Sequence, residues 1–413
     1  MKRQLATIAR RLLDEVKLPE EALKERRRDQ ARALGEDRGI DATVRMAIDW
    51  LRRAQDRSAT KDGGVAHSYS LIHGWSASYP ETTGFIIPTL LGCAKRFNDQ
   101  DLADRARRML DWLVSIQFPE GGFQGGLVNA QPRVPVTFNT GQILIGLAAG
   151  ARNFDAPYTD SMRRAADWLA DSLDPDGCWR RHPSPFAKPG EKAYETHVSW
   201  GLYEAARVEP NTRWVEAADR QVRWALSKQR PSGWFASNCL SNSSAPFTHT
   251  IGYVLRGVVE AYRFTGDRAF LDAATRCATG ALTALDADGR LPGRLDESWR
   301  ATVDWVCLTG TVQIAHSWLL LADMTGNAAF ATAAERANAF VRRSMRARGS
   351  PGVRGGIKGS LPCDGEYLQW RLPNWAAKFF IDANLLEADV RAGARPGAVT
   401  RELPVVCGAS NAA

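Results

Sequence analysis

The chain has 413 residues, 44% of them hydrophobic and 24% charged, with a formal net charge of +8. That length supplies one large core or two ordinary ones, and no run of about 18 apolar residues is present to cross a membrane. The seven cysteines are scattered and form no CxxC pair. This argues against a disulfide framework or a structural zinc and makes the cytoplasm the expected location.

Residues 1–32 hold ten Lys and Arg against six Asp and Glu, half of the whole basic excess. No clean apolar stretch or small-residue cleavage site interrupts them. Residues 1–40 therefore read as a charged helical arm rather than an export leader. The arm is either a solvated helix or a binding segment for an anionic polymer or surface. No stripe of interleaved basic and aromatic residues follows, so nucleic acid is not an expected partner.

From residue 41 to residue 389 the sequence repeats at roughly 50–60 residues. Each unit opens with an amphipathic helix: "AIDWLRRAQ", "MLDWLVSIQ", "AADWLADSL", "QVRWALSKQ", "CATGALTAL", "ANAFVRRSM". Apolar residues at i, i+3 and i+4 give each helix one wet face. A glycine turn follows: "DGGVAHSY", "PEGGFQGG", "DPDGCWRR", "RPSGWFAS", "DADGRLPG", "VRGGIKGS". A second helix then starts near Tyr79, Thr137, Tyr194, Phe247, Val303 and Tyr367, with apolar and small residues nearly all round. Such a helix is buried on most sides. Strand signals are poor, and 390–413 reads as a tail.

Six pairs, each with a wet outer and a buried inner helix, close into an (α/α)6 toroid. In this pattern the chain resembles the six-hairpin superfamily of carbohydrate-active enzymes. More distantly it is similar to the terpene cyclase and protein prenyltransferase barrels. "QFPEGGF" and "QRPSGWF" look like the Q-x-x-x-G-x-W/F turns of the cyclases, which tie helix ends together. "YPETTG" is faintly similar to a helix start of glucuronyl C5-epimerases. The resemblance implies a carbohydrate-processing enzyme: a glycoside hydrolase, a uronate lyase or a sugar epimerase.

The hairpin topology brings all six inner-helix starts and all six glycine loops to one mouth. Candidate catalytic groups there are Tyr79, Glu81, His197, His249 and Asp304. Carboxylates suit glycoside hydrolysis; two histidines with a tyrosine suit proton abstraction and return. Candidate substrate contacts are Asn139, Glu195, Trp200, Trp305, Trp370, Asn374, Trp375, Lys378 and Arg181. Tryptophan faces suit sugar rings, and the cations suit an anionic sugar. Helix capping is the competing reading for the polar residues, because Thr, Asn and Asp are favoured caps and Glu is favoured in a first turn.

No HExxH or zinc-type Cys/His spacing is present, and neither a GxSxG elbow nor a nucleotide fingerprint appears. No metal or cofactor is expected. A terpene cyclase would need a DxDD acid motif, which is missing, and a prenyltransferase an Asp-x-Cys with a matching His to place its zinc, which is not found; Asp304 and Cys307 are spaced differently. A non-catalytic glycan-binding toroid is the third reading.

Overall fold

The computed structural model describes residues 17–154, 157–185 and 187–397. Helix α1 spans Glu20–Gln30. Outer and inner helices then alternate: α2 Ile40–Asp56, α3 Pro80–Phe97, α4 Gln100–Ile116, α5 Thr137–Phe154, α6 Tyr158–Ser172, α7 Thr196–Val208, α8 Thr212–Ser227, α9 Thr248–Thr265, α10 Arg268–Thr283, α11 Leu308–Thr325, α12 Ala328–Ser344 and α13 Asn374–Arg391. Inner helices α3, α5, α7, α9, α11 and α13 pack on their neighbours in that order, and α13 returns to α3. The last inner helix also lies on the first outer helix, α2. This is an (α/α)6 toroid.

Sequence pattern assigns the two rings. Every residue of α5 from Thr137 to Ala151 is buried. In α4 only one stripe is buried, including Leu102, Ala106, Met109 and Leu113, as a 3.6-residue period requires. Small residues let the inner helices close up: a Cβ on Gly146 would collide with the Gly84 carbonyl of α3.

The glycine loops lock each hairpin to the next. Gly121 has φ +107° and Gly355 has φ +81°, a region where a side chain is strained. A Cβ on Gly121 would strike the Arg164 carbonyl of α6, and one on Gly355 would strike the Met46 carbonyl of α2. The sixth loop thus grips the first outer helix, which closes the ring. Gln117 Nε2 donates to Gly121 O and to Ser161 O of α6. Gln229 makes the same pair of bonds to Gly233 and to Ala273 of α10. The cyclase-like turns therefore serve the architecture.

Short strands are present, although strand signals in the sequence are poor. β1 (Ser68–Ser70) pairs with β2 (Gly74–Trp75) and with β5 (Arg371–Pro373). β3 (Val306–Cys307) pairs with β4 (Ser360–Leu361). Two or three residues are too few for alternation to register. The β1–β5 ladder joins the first loop to the last. It also moves the sixth inner-helix start from the expected Tyr367 to Asn374. Strand β3 and its approach likewise move the fifth start from Val303 to Leu308.

The described part of the N-terminal arm is not a solvated helix. Glu25 and Asp29 of α1 are buried and meet Lys358 Nζ at 2.7 and 2.6 Å. Asp29 also accepts from Cys363 N, and the Tyr69 hydroxyl donates to Glu21. Helix α1 braces the loop that carries Tyr367 and Leu368. Residues 1–16 and most of the expected tail lie outside the described residues.

Candidate active site

The start of α3 shows what its polar residues do. The Thr83 hydroxyl donates to Tyr79 O and accepts from Val65 N of the first glycine loop. Thr140 repeats this in the next hairpin, between Val136 O and Phe123 N. These threonines are loop latches. Glu81 caps nothing: its Oε2 accepts from the Tyr79 hydroxyl at 2.5 Å. Both side chains are buried, and both line a cavity of about 200 Å³ at the mouth.

Burial raises the Glu81 carboxyl from 4.5 to about 7, and the Tyr79 bond pulls it down only in part. Burial and then the Glu81 charge push the Tyr79 phenol well above its ordinary value. The pair is therefore a carboxyl poised near neutrality beside a phenol that stays protonated. Asn139 neighbours the Tyr79 hydroxyl, yet neither its oxygen nor its nitrogen makes a hydrogen bond of good geometry.

Aromatic rings build the cavity wall. His67 contacts Tyr79 edge-on at 5.0 Å and Trp375 at 4.8 Å. Trp375 Nε1 donates to the Tyr367 hydroxyl at 2.8 Å. Opposite, His249 lies 4.3 Å from Tyr253 and 5.0 Å from Tyr367. Phe138 bridges Tyr253 and Tyr194. Among the described residues, Glu81 is the only carboxyl group in this lining, and no Lys or Arg is part of it.

The two predicted histidines have matching supports. His249 Nδ1 lies 2.7 Å from Gln313 Oε1 of α11, and His197 Nδ1 lies 2.6 Å from Gln142 Oε1 of α5. With a carbonyl oxygen as acceptor, Nδ1 carries the hydrogen and Nε2 keeps its lone pair. Burial lowers the His249 pKa to about 4 and that of His67 to about 3, so both rings are neutral at pH 7. His249 lines the cavity. His197 does not: its ring is wedged between Tyr253 at 4.7 Å and Trp200 at 4.9 Å, with Nε2 buried and unpartnered.

The other candidates divide. Trp375 joins Tyr79, Glu81 and His249 in the lining. Asn374 sits behind it and donates to Ala66 O. Trp305 forms a second layer against Phe247 and Tyr367. Glu195 is buried and raised well above 4.5 by burial, against the pull of Lys192 and Arg180, but stands outside the lining.

Five expected site residues stand apart from this cavity. Asp304 is exposed and lies in a surface hollow beside α1, because its segment precedes β3 instead of starting the helix. Trp370 is covered by Arg26 of α1 at 5.9 Å. Arg181 points outward to Asp174 at 3.0 Å. Trp200 and Lys378 stand one turn down their helices and line a different cavity, at the opposite end of the toroid.

His67, Phe138, Tyr194, Tyr253 and Tyr367 also line the site. His67 and Tyr367 were findable, since they lie on the glycine loops that share the mouth. Tyr253 was not, because one turn into α9 it reads as core. No group of three or more His, Cys, Asp or Glu among the described residues is arranged to hold a metal ion.

No protein-family model matches this chain, and no curated protein matches it. Solved structures do. An unsaturated glucuronyl hydrolase specific for heparin superposes with TM-score 0.68 at 17% identity, covering 86% of this chain and 98% of that one. The unsaturated glucuronyl hydrolase from Bacillus sp. GL1 gives 0.63 at 15%, covering 85% and 97%. A cellobiose 2-epimerase from Bacillus thermoamylovorans gives 0.65 at 12%, covering 88% and 98%. The chain shares the (α/α)6 toroid of these carbohydrate-active enzymes. At such identities the likeness establishes fold and leaves the chemistry to the site.

Proposed function

We propose that the protein is a carbohydrate-processing enzyme that moves protons on one acidic sugar unit, with epimerase or lyase chemistry. Glu81 and His249 carry the protons, and Tyr79 holds Glu81. The observation behind this reading is the Tyr79–Glu81 pair: a carboxyl with pKa about 7 in a cavity walled by aromatic rings. A proton-transfer group works best when its pKa lies near the working pH. Neutral His249 in the same lining offers the complementary acceptor.

Three features define the substrate. A volume of about 200 Å³ falls below the roughly 300–1,000 Å³ of drug-sized ligand sites, so the cavity takes one ring, at a chain end. Tyr and Trp faces stack on the C–H faces of that ring. Arg371 lowers the pKa of His67, donates to Ser68 Oγ, and has no carboxylate partner among the described residues. From behind His67 and Ser68, outside the lining, its field favours a uronate carboxylate in the cavity.

The chemistry follows from a single carboxyl in the lining. Glycoside hydrolysis calls for a pair of carboxylates flanking the bond. Proton abstraction next to a carboxylate calls for one base, one acid and a place for charge. The base takes the proton from the carbon beside the sugar carboxylate, and the electron pair moves into that carboxylate. Return of a proton to the other face inverts the centre; departure of the neighbouring oxygen substituent leaves an unsaturated sugar. The likeness in fold to glucuronyl hydrolases and a sugar epimerase supports a sugar as the substrate class. Glu81→Gln and His249→Ala, assayed against uronate-ended and neutral oligosaccharides, test the assignment. Both should abolish turnover of the uronate-ended set; full activity in both overturns it.

A further inference from the structure

The inner helices finish at the other end of the toroid, around a second cavity of about 310 Å³. The acid/base reading uses none of it. Its walls carry Arg152, Trp200, Glu204, Arg256, Lys378 and Asp382, from four inner helices.

Charge is concentrated there. Lys378 is 3% exposed and bonds Asp382 at 2.5 Å. Fully buried Glu260 is shared by Arg256 at 2.7 Å and Arg263 at 3.0 Å. Arg152 meets Glu204 at 2.8 Å, and Glu204 also takes Arg207. Asp389 on the rim is answered by Arg96. In the lining Arg152, Arg256 and Lys378 balance Glu204, Asp382 and Asp389, and Arg96, Arg207 and Arg263 against Glu260 give the cluster as a whole its cationic excess. Burying ions costs several kcal/mol each unless geometry repays it, and leucines would fill such a lumen at no such cost. Trp200 adds an indole whose N–H donates to Glu204 and whose face carries the Arg256 guanidinium at 4.4 Å.

We propose that this cavity is a second binding site, for a small acidic sugar: a hydroxyl-rich ring bearing one anionic group. Arg152, Arg256 and Lys378 take the anion. Glu204 and Asp382 accept from ring hydroxyls. His197, packed between Trp200 and the Tyr253 wall of the first cavity, separates the two sites.

The test is calorimetric titration of the full chain with D-glucuronate and with glucose 6-phosphate, which distinguish a sugar acid from a sugar phosphate. Glucose is the neutral control. Besides any event at the first cavity, which Trp375→Ala should remove, we expect a binding event that Arg152→Ala and Lys378→Met each weaken by roughly tenfold or more and that Trp375→Ala leaves in place. Arg152 is a rim residue, so its variant keeps the test valid if Lys378→Met fails to fold. Binding wholly insensitive to both variants, binding lost entirely in Trp375→Ala, or no event with either acidic sugar overturns the proposal. Equal binding of glucose overturns the anionic requirement.

Discussion

The Tyr79 hydroxyl donates to Glu81 Oε2 across 2.5 Å, between residues two apart at the start of the first inner helix. The bond is local, but its setting is not. His67 and Trp375, from the first and last hairpins, close over Tyr79. A carboxyl held at about 7 in that setting is costly to the fold and useful to chemistry.

The cost is measurable. The folded pKa of Glu81, about 7, lies above the ordinary 4.5. Between these values the native state binds more protons than the unfolded chain, so stability falls as pH rises from 4.5 to 7 and stays lower above. The window corresponds to roughly 3 kcal/mol. Glu81→Gln should raise unfolding free energy by about that amount at pH 8 and leave it unchanged near pH 4 in urea titrations. Parallel curves for both proteins would deny the raised carboxyl.

Tyr79→Phe removes the one hydrogen bond that lowers the Glu81 pKa. The Glu81-dependent limb of the pH–rate profile should move to higher pH, at a stability cost of about 1 kcal/mol. A profile that keeps its midpoint would show that the phenol does not tune the carboxyl.

The two histidines should separate. His249→Ala should cost about 10²–10⁴ in turnover with a folded protein, because His249 lines the cavity. His197→Ala should cost roughly 2–5 kcal/mol of stability, because its ring fills a fully buried gap between Tyr253 and Trp200. Turnover per folded molecule and thermal melts distinguish the two outcomes.

The N-terminal helix gives a structural contrast. Lys358 is the shared partner of buried Glu25 and Asp29. Lys358→Met should destabilise by roughly 3–5 kcal/mol, because it leaves buried Asp29 without its cation and Glu25 with Arg346 alone. Asp304→Asn should change stability by less than about 0.5 kcal/mol and leave turnover intact, because Asp304 is exposed. Loss of activity in Asp304→Asn would return that residue to the site.

The repeat, the two helix rings and the shared mouth were legible because 3.6-residue periodicity and glycine turns report on burial directly. Tyr79, Glu81, His249 and Trp375 come together around one cavity because each stands at the very start of an inner helix. The same rule misplaced Trp200 and Lys378: one turn of helix was enough to carry them to the other cavity. It misplaced Asp304 and Trp370 because short strands delay the fifth and sixth helix starts. The docking of α1 was hidden, since Glu25 and Asp29 read as solvent-facing until Lys358, far along the chain, pairs with them.

The most direct test follows one hydrogen atom. A uronate-ended oligosaccharide carrying tritium on the carbon next to its carboxylate should release the label to water on treatment with the protein, under either inversion or elimination. Release should disappear in Glu81→Gln. Turnover that leaves all the label on carbon, or release undiminished in Glu81→Gln, would contradict proton transfer at this site.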